Sequence, residues 1–303
     1  MDSPDTVLTL DRLGHWKHEG HKLAVLGHPI KHSISPAMHN AALTELAKTD
    51  TRFLDWKYFR FDVPPDDLPT ALARLHDEDF TGLNLTVPHK VIAFGHVGEI
   101  DKAAQPIGAV NTLLRTPSGW RGYNTDGYGL ATAIKETLGR ELTDSPLILL
   151  GAGGAARGAA VECLQRTCAS LWIANRTRFN LDALLIDLAP IAGKIPLHGF
   201  DPQNPPADLP ADALVINATS AGMKPADAQP IDLTQLPKPA GVFDMIYNPP
   251  ETRLLAQART LGLPAANGLS MLIHQGARAL EIWTGGPVPV EAMRTAATAA
   301  LGR

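Results

Sequence analysis

Cysteine is nearly absent: the 303 residues include only Cys163 and Cys168. Close together in a segment of helical pattern, they suit neither a disulfide framework nor a paired zinc motif. Buried free thiols in a reducing, cytoplasmic setting are expected. Long apolar runs are missing as well. No segment reaches the roughly 20 apolar residues that cross a bilayer. The first twenty residues carry Asp2, Asp5, Asp11 and Glu19 where a signal peptide would be apolar, so none is expected. Neither sign of charge is in large excess: 27 Lys and Arg stand against 31 Asp and Glu, a net charge of −4, with the basic residues scattered singly. That excludes the basic stripe that a nucleic acid or an anionic membrane requires. The 11 His residues form no H-E-x-x-H arrangement, so no metal is expected. With 45% hydrophobic and 19% charged residues, the depletion that marks disorder is also lacking.

What is present is an alternation of short apolar runs with segments of helical period, the pattern of α/β folds with mostly parallel sheets. Strands are expected at Lys22–Gly27, Trp56–Asp62, Gly82–Val87 and Val110–Arg115, with helices at Pro36–Lys48, Leu68–Leu75 and Lys90–Phe94. A second series runs through strands at Leu147–Leu150, Leu171–Ala174, Ala213–Asn217 and Gly241–Asp244, with a long helix from Ala155. The break between the series lies near Gly122–Gly129, before a helix at Leu130–Leu138. Gly193–Pro210, rich in Pro and Gly, reads as an irregular connection. Gly268–Thr284 reads as a helix that either series could hold. The length suits two domains with a cleft between them.

Pro146–Leu150 runs straight into Gly151-Ala152-Gly153-Gly154-Ala155-Ala156 and then a helix. This G-x-G-x-x-A arrangement suits a dinucleotide: a tight turn at Gly151 and bare backbone at Gly153 let a pyrophosphate reach amides at a helix N-terminus. The end of the next strand normally carries an acid for the ribose of NAD. Here it reads Asn175-Arg176-Thr177-Arg178, without an acid and with an arginine able to bind a 2′-phosphate. NADP(H) is therefore the expected cofactor.

In Gly82-Leu83-Asn84-Leu85-Thr86-Val87-Pro88-His89-Lys90 the strand pattern sets Asn84 and Thr86 on one face. Pro88 then starts a helix with Lys90 in its first turn. A cation there is poorly placed unless a carboxylate compensates or its proton has a use. Asp126, in Asn124-Thr125-Asp126-Gly127, is either that carboxylate or a helix cap. Ser33-Ile34-Ser35-Pro36 is either an ordinary helix start or a pair of hydroxyls for a ligand carboxylate.

Taken in order, Ser33-x-Ser35-Pro36, Asn84-x-Thr86-x-Pro88-x-Lys90, Gly108-Ala109-Val110-Asn111-Thr112, Asn124-Thr125-Asp126-Gly127, the glycine loop, Asn175-Arg176-Thr177, Asn217-Ala218-Thr219 and Met271-Leu272-x-x-Gln275-Gly276-Ala277 resemble the shikimate dehydrogenase family. The resemblance covers the chain from about Lys22 onward. It implies an α/β substrate domain at 1–125, completed by C-terminal helices at 268–303, and a Rossmann-type, doubly wound parallel-sheet NADP domain at 126–267. The implied reaction is the NADPH-dependent reduction of 3-dehydroshikimate to shikimate in aromatic amino acid biosynthesis, with Lys90 and Asp126 as the catalytic pair. Ser33 and Ser35 would hold the substrate carboxylate. Thr86, Asn111, Asp126 and Gln275 would hold ring hydroxyls, and Tyr247 would also reach the substrate. Gly151, Ala152, Gly153, Gly154, Ala155, Asn175, Arg176 and Thr177 would hold the cofactor, with Met245 and Gly268 near the nicotinamide. The chain departs from the family pattern at Asn180, where members often carry a second arginine, and Arg178 is the candidate substitute. Quinate or aminoshikimate dehydrogenases share nearly all of these residues, although Ser35 favours shikimate. A non-catalytic NADP-sensing regulator has no reason to keep both Lys90 and Asp126. A monomer or a homodimer is compatible with the sequence.

Overall fold

A computed structural model describes residues 6–13, 18–224 and 226–302. The chain divides into two compact units, Met1–Thr125 with Ile273–Arg303, and Asp126–Leu272. The return to the first unit, expected at 268, falls one turn inside the helix Leu269–Thr284.

The first unit is built on a seven-stranded sheet: β1 (Val7–Leu8), β2 (Lys22–Gly27), β3 (Lys57–Asp62), β4 (Phe80–Leu85), β5 (Glu99–Ile100), β6 (Thr112–Thr116) and β7 (Gly119–Tyr123), ordered β1-β3-β2-β4-β6-β7-β5. The unbroken Leu23-Ala24-Val25-Leu26 run of β2 is buried on both faces, as a central parallel strand requires. Strands β1 to β4 pair in parallel. The expectation of a mostly parallel sheet fails at β6, which is antiparallel to both β4 and β7. Thr116 faces Gly119 across Pro117-Ser118, and a connection that short can join only antiparallel strands. The two-residue strands β1 and β5 lie below the length at which periodicity is visible. Phe61, Phe80, Leu83 and Leu113 sit in the core on one side of the sheet. The helix Val290–Ala300 packs on the helix Ser35–Ala47. Trp283 donates its indole N–H to Leu113 O (2.9 Å) and lies so close to β4 that a Cβ on Gly82 would collide with its Nε1.

The second unit holds an all-parallel six-stranded sheet: β8 (Pro146–Leu150), β9 (Ser170–Ala174), β10 (Leu197–Phe200), β11 (Leu214–Asn217), β12 (Gly241–Asp244) and β13 (Ala265–Asn267), ordered β10-β9-β8-β11-β12-β13. The order reverses between β8 and β11, the switch point at which doubly wound sheets bind ligands. Its helices include Asp126–Leu138, Gly154–Gln165, Arg178–Ala192 and Arg253–Thr260. The irregular connection expected at Gly193–Pro210 contains β10, paired to β9 along its whole length. Gly199 dilutes its pattern, and the tight packing of Leu181 and Leu185 against that glycine explains why the residue is small. Ile148, Leu150, Val215 and Val242 anchor the core.

Candidate functional site

In the first unit a chain of buried polar side chains runs from the start of β3 across the C-terminal end of β4 to the start of β6. The Tyr58 hydroxyl donates to Asn84 Oδ1 (2.8 Å). Asn84 Nδ2 donates to the Asn111 carbonyl and to Thr112 Oγ1, each at 3.1 Å. Thr112 in turn donates to Asn111 Oδ1 (2.9 Å), which also accepts the backbone N–H of Thr125 (2.9 Å). Asn111 Nδ2 donates to Thr125 Oγ1 (3.0 Å) and to Gln275 Oε1 (3.3 Å). Four of the expected substrate-side positions are thereby tied to one chain or its covalent neighbour: Asn111 and Gln275 directly, Asp126 through Thr125, and Ser35 through its hydroxyl contact with Tyr58.

Ser35 opens the helix Ser35–Ala47, with Pro36 in its first turn and no side chain capping it at Ile34. Ser33 Oγ instead accepts the Ser35 N–H at 3.4 Å, so the two serines adjoin the same helix start. Beneath them His39 is fully buried, its ring stacked on Tyr58 at 4.1 Å and 1°. Burial lowers its pKa to about 3, so the imidazole is neutral, and burial also raises the Tyr58 hydroxyl well above its ordinary value.

Thr86 follows β4, held by its N–H on Leu26 O (3.0 Å). Lys90 lies half-buried on a single turn, His89–Ile92, continued by a 3₁₀ turn at Ala93–Gly95. The expected Lys90–Phe94 helix is therefore shorter and irregular. One turn aligns too few peptide dipoles to disfavour a cation strongly, which weakens the conflict inferred from the sequence. The Lys90 carbonyl accepts the Val110 N–H (2.9 Å), fastening this turn to the segment that leads into β6.

In the second unit Asp126 is the first residue of the helix Asp126–Leu138, with Gly127 buried behind it against the Glu162 side chain. A cavity of about 400 Å³ opens at the sheet's switch point, between the ends of β8 and β9 and the segment after β11. Gly151, Ala152, Gly153, Asn175 and Arg176 line it, together with Thr219, Ser220, Asp227 and Gln229. Gly151 has φ +113°, a conformation that penalises any side chain, and its turn delivers Gly153 to the start of the helix Gly154–Gln165. Among the described residues nothing beyond their chain neighbours and the helix's own backbone lies within 4 Å of the places where Cβ atoms on Gly153 and Gly154 would stand, so their backbone is open to a ligand. Arg176 is exposed and has no ion-pair partner among the described residues, whereas Arg178 is held by Asp182 on its own helix (2.8 Å). The substitution of Arg178 for a second phosphate-binding arginine therefore finds no support. Gly154, Ala155 and Thr177 adjoin this cavity in sequence but do not line it.

Met245 and Gly268, also outside the cavity lining, touch each other: a Cβ on Gly268 would overlap Met245 O. Tyr247 is half-buried, and burial raises its hydroxyl pKa. The segment carrying Met245 and Tyr247 leaves from Asp244, a buried carboxylate that accepts from Asn217 Nδ2 (2.9 Å), Thr252 Oγ1 (2.6 Å) and the Ile246 N–H (3.1 Å). Burial pushes this carboxyl up against the pull of the three donors.

Sequence reasoning missed the roles of Tyr58, Thr112, Thr125, Asp227 and Asp244. Asn84 was singled out by alternation, and Asn217-Ala218-Thr219 by resemblance, without a structural role for either. Asn217 Oδ1 accepts both the N–H and the hydroxyl of Thr219, which shapes the cavity wall.

The profile of the shikimate dehydrogenase substrate binding domain matches residues 25–113, and that of the shikimate 5′-dehydrogenase C-terminal domain matches 268–298. A shikimate dehydrogenase (NADP(+)) of Symbiobacterium thermophilum is 41% identical over 93% of this chain and 95% of its own. One from Methanopyrus kandleri is 38% identical over 92% and 95%. The crystal structure of shikimate 5-dehydrogenase from Thermus thermophilus in complex with NADP(H) and shikimate superposes with a TM-score of 0.80 at 35% identity, covering 92% of this chain and 99% of that one.

Proposed function

This chain belongs to the shikimate dehydrogenase family, and we propose that it catalyses the reversible NADPH-dependent reduction of 3-dehydroshikimate to shikimate, within aromatic amino acid biosynthesis. What most directly supports the cofactor half of this reading is the switch-point cavity, where Arg176 stands without an ion-pair partner among the described residues and Asn175 occupies the position of a ribose-binding acid. Its open glycine backbone and unpaired guanidinium fit a dinucleotide carrying a 2′-phosphate. Gly151 to Ala155 would receive the pyrophosphate, Asn175 to Thr177 the adenosine end, and Met245 and Gly268 would adjoin the nicotinamide.

NADPH, when bound, would supply the hydride for the carbonyl carbon of the substrate. Reduction also requires a proton at the carbonyl oxygen, and Lys90 Nζ is the donor we assign; in the reverse direction it takes that proton back. Asp126 orients the Lys90 ammonium and accepts from a neighbouring ring hydroxyl. Ser33 and Ser35 bind the substrate carboxylate at the helix start they share. Thr86, Asn111 and Gln275 bind ring oxygens, and Tyr247 also reaches the substrate. The enzyme would work in the cytoplasm, where Cys163 and Cys168, both buried and free, stay reduced. A monomer or a homodimer would serve equally.

The test is a purified-protein assay with shikimate, following the absorbance of reduced cofactor, with NADP⁺ and NAD⁺ in parallel and quinate as a second substrate. Faster turnover of shikimate with NADP⁺ is expected. Equal rates with both cofactors would remove the argument from Arg176, and a preference for quinate would change the substrate.

A further inference from the structure

Ser33 and Ser35 are neutral, and a carboxylate that leaves water for two hydroxyls gives up hydration that they replace only in part. The start of the helix Ser35–Ala47 adds a partial positive charge. A full charge stands behind the loop that carries Ser33. Strand β3 alternates, turning Phe59 and Phe61 into the core and Tyr58, Arg60 and Asp62 to the opposite face. All three residues of that face meet the loop 28–34 or the serine that follows it. The Tyr58 hydroxyl contacts Ser35. Arg60 Nη1 donates to the Lys31 carbonyl (2.8 Å) and to the Ser33 carbonyl (3.1 Å). Asp62 Oδ1 stands 2.6 Å from His28 Nδ1. Arg60 is thus fastened to the very residue whose hydroxyl would meet the ligand. The two acceptors on Nη1 are neutral carbonyls, and a guanidinium stays protonated at any working pH. Lys31 and His32, the remaining basic residues of the loop, are exposed, so water and salt screen them more than the half-buried guanidinium.

We infer that Arg60 is a positioning residue that makes the Ser33–Ser35 site select an anionic group. It holds the loop by two carbonyls and supplies the positive potential that favours a carboxylate over a neutral group of the same shape. The inference rests on the proposed function, in which these serines bind the substrate carboxylate. Asp62, two residues along the same face, carries the opposite charge, so substitutions at the two positions should act in opposite directions.

The experiment measures kcat and KM for shikimate, and the competitive inhibition constant of shikimate carboxamide, which keeps the ring and its hydroxyls and lacks the charge. The ratio of the inhibition constant to KM reads the preference for the anion. It is compared in the unsubstituted protein, Arg60→Gln, Arg60→Lys and Asp62→Asn. Glutamine still donates to a carbonyl but is neutral, whereas lysine keeps the charge. In Arg60→Gln the preference should fall about five- to tenfold, through a rise in the KM for shikimate with kcat within about twofold, as for a charge acting through partly solvated protein. Arg60→Lys should keep most of the preference. Asp62→Asn removes a negative charge and should raise it, which supplies a second reading if Arg60→Gln does not fold. A merely structural tether would weaken shikimate and the carboxamide together. Losses in step for both ligands in Arg60→Gln, equal losses of preference in Arg60→Gln and Arg60→Lys, or a preference not raised in Asp62→Asn would overturn the inference and leave the proposed function standing. If the unsubstituted protein does not turn over shikimate, the proposed function fails first and takes this inference with it.

Discussion

His39 makes the stability of the first unit sensitive to acid, and the size of the effect can be worked out from its burial. In the unfolded chain the imidazole binds a proton below its ordinary pKa of 6.5, whereas in the folded chain burial delays this to about 3. Between those values the unfolded state holds the extra proton, so stability falls as the pH falls. Each pH unit below 6.5 costs about 1.4 kcal/mol, so lowering the pH from 7 to 5 removes about 2 kcal/mol through this one group. Other carboxylates and histidines also contribute to the total. Asp244, whose folded carboxyl is raised, acts in the opposite direction, its stabilisation growing as the pH falls. The difference between the unsubstituted protein and His39→Phe isolates the histidine, because phenylalanine keeps the stack on Tyr58 and does not titrate. Urea unfolding of both at several pH values between 4 and 7 reads it directly. The variant should gain on the unsubstituted protein by about 2 kcal/mol from pH 7 to 5. Parallel curves would show that His39 reaches solvent or a partner when charged, and would refute the reasoning.

Three further outcomes are expected. Lys90→Ala should lower kcat by about 10²–10⁴ while leaving NADPH affinity unchanged; a rise in KM with kcat intact would make Lys90 a binding residue instead. Arg176→Ala should weaken NADP⁺ binding by about 1.5–3 kcal/mol, read as a Kd from quenching of protein fluorescence, with NAD⁺ binding little changed. An equal loss for both cofactors would mean that Arg176 does not read the 2′-phosphate. Gly268→Ala drives a methyl group into Met245 O, a backbone atom that cannot rotate away. A loss of about 1–3 kcal/mol in stability is expected, and a thermal midpoint equal to that of the unsubstituted chain would show that the Met245 turn shifts freely.

The elements that the sequence displayed best were those decided locally. β2 and β8 are uninterrupted apolar runs, and the glycine loop encodes its own turn through Gly151. β12, Gly241–Asp244, appears with the bounds that the residues suggested. What the sequence hid was decided by partners far along the chain. β10 carries a half-polar pattern because it lies at an edge and is fastened only to β9. The run Lys90–Phe94 looked like a helix, but only one α-turn forms there, His89–Ile92, and the Lys90 carbonyl is tied to Val110 instead. The site was legible in its residue types and largely illegible in its connections. Tyr58 shows only as one aromatic in a strand, and nothing around it reveals that its hydroxyl addresses Asn84, 26 residues away in sequence. Arg178 shows the converse: its position suggested a phosphate ligand, while a single turn of helix sets it against Asp182.

The tether of Trp283 to β4 and β6 carries a consequence for the order in which the protein is made. The first unit is discontinuous, and on a ribosome its sheet emerges long before the segment from Ile273 onward that supplies Gln275, Trp283 and the helix packed on Ser35–Ala47. The second unit is one uninterrupted stretch, free to fold while the first still lacks a covering element. Until Trp283 arrives, Gly82 leaves a groove along β4, and the Leu113 carbonyl has no indole to accept from. The closing contacts are among the most distant in sequence that the unit makes, and contacts of that kind are slow to form. A stalled or truncated chain would thus display a finished nucleotide fold beside an unfinished sheet, exposing apolar surface to the chaperones and proteases that survey nascent proteins.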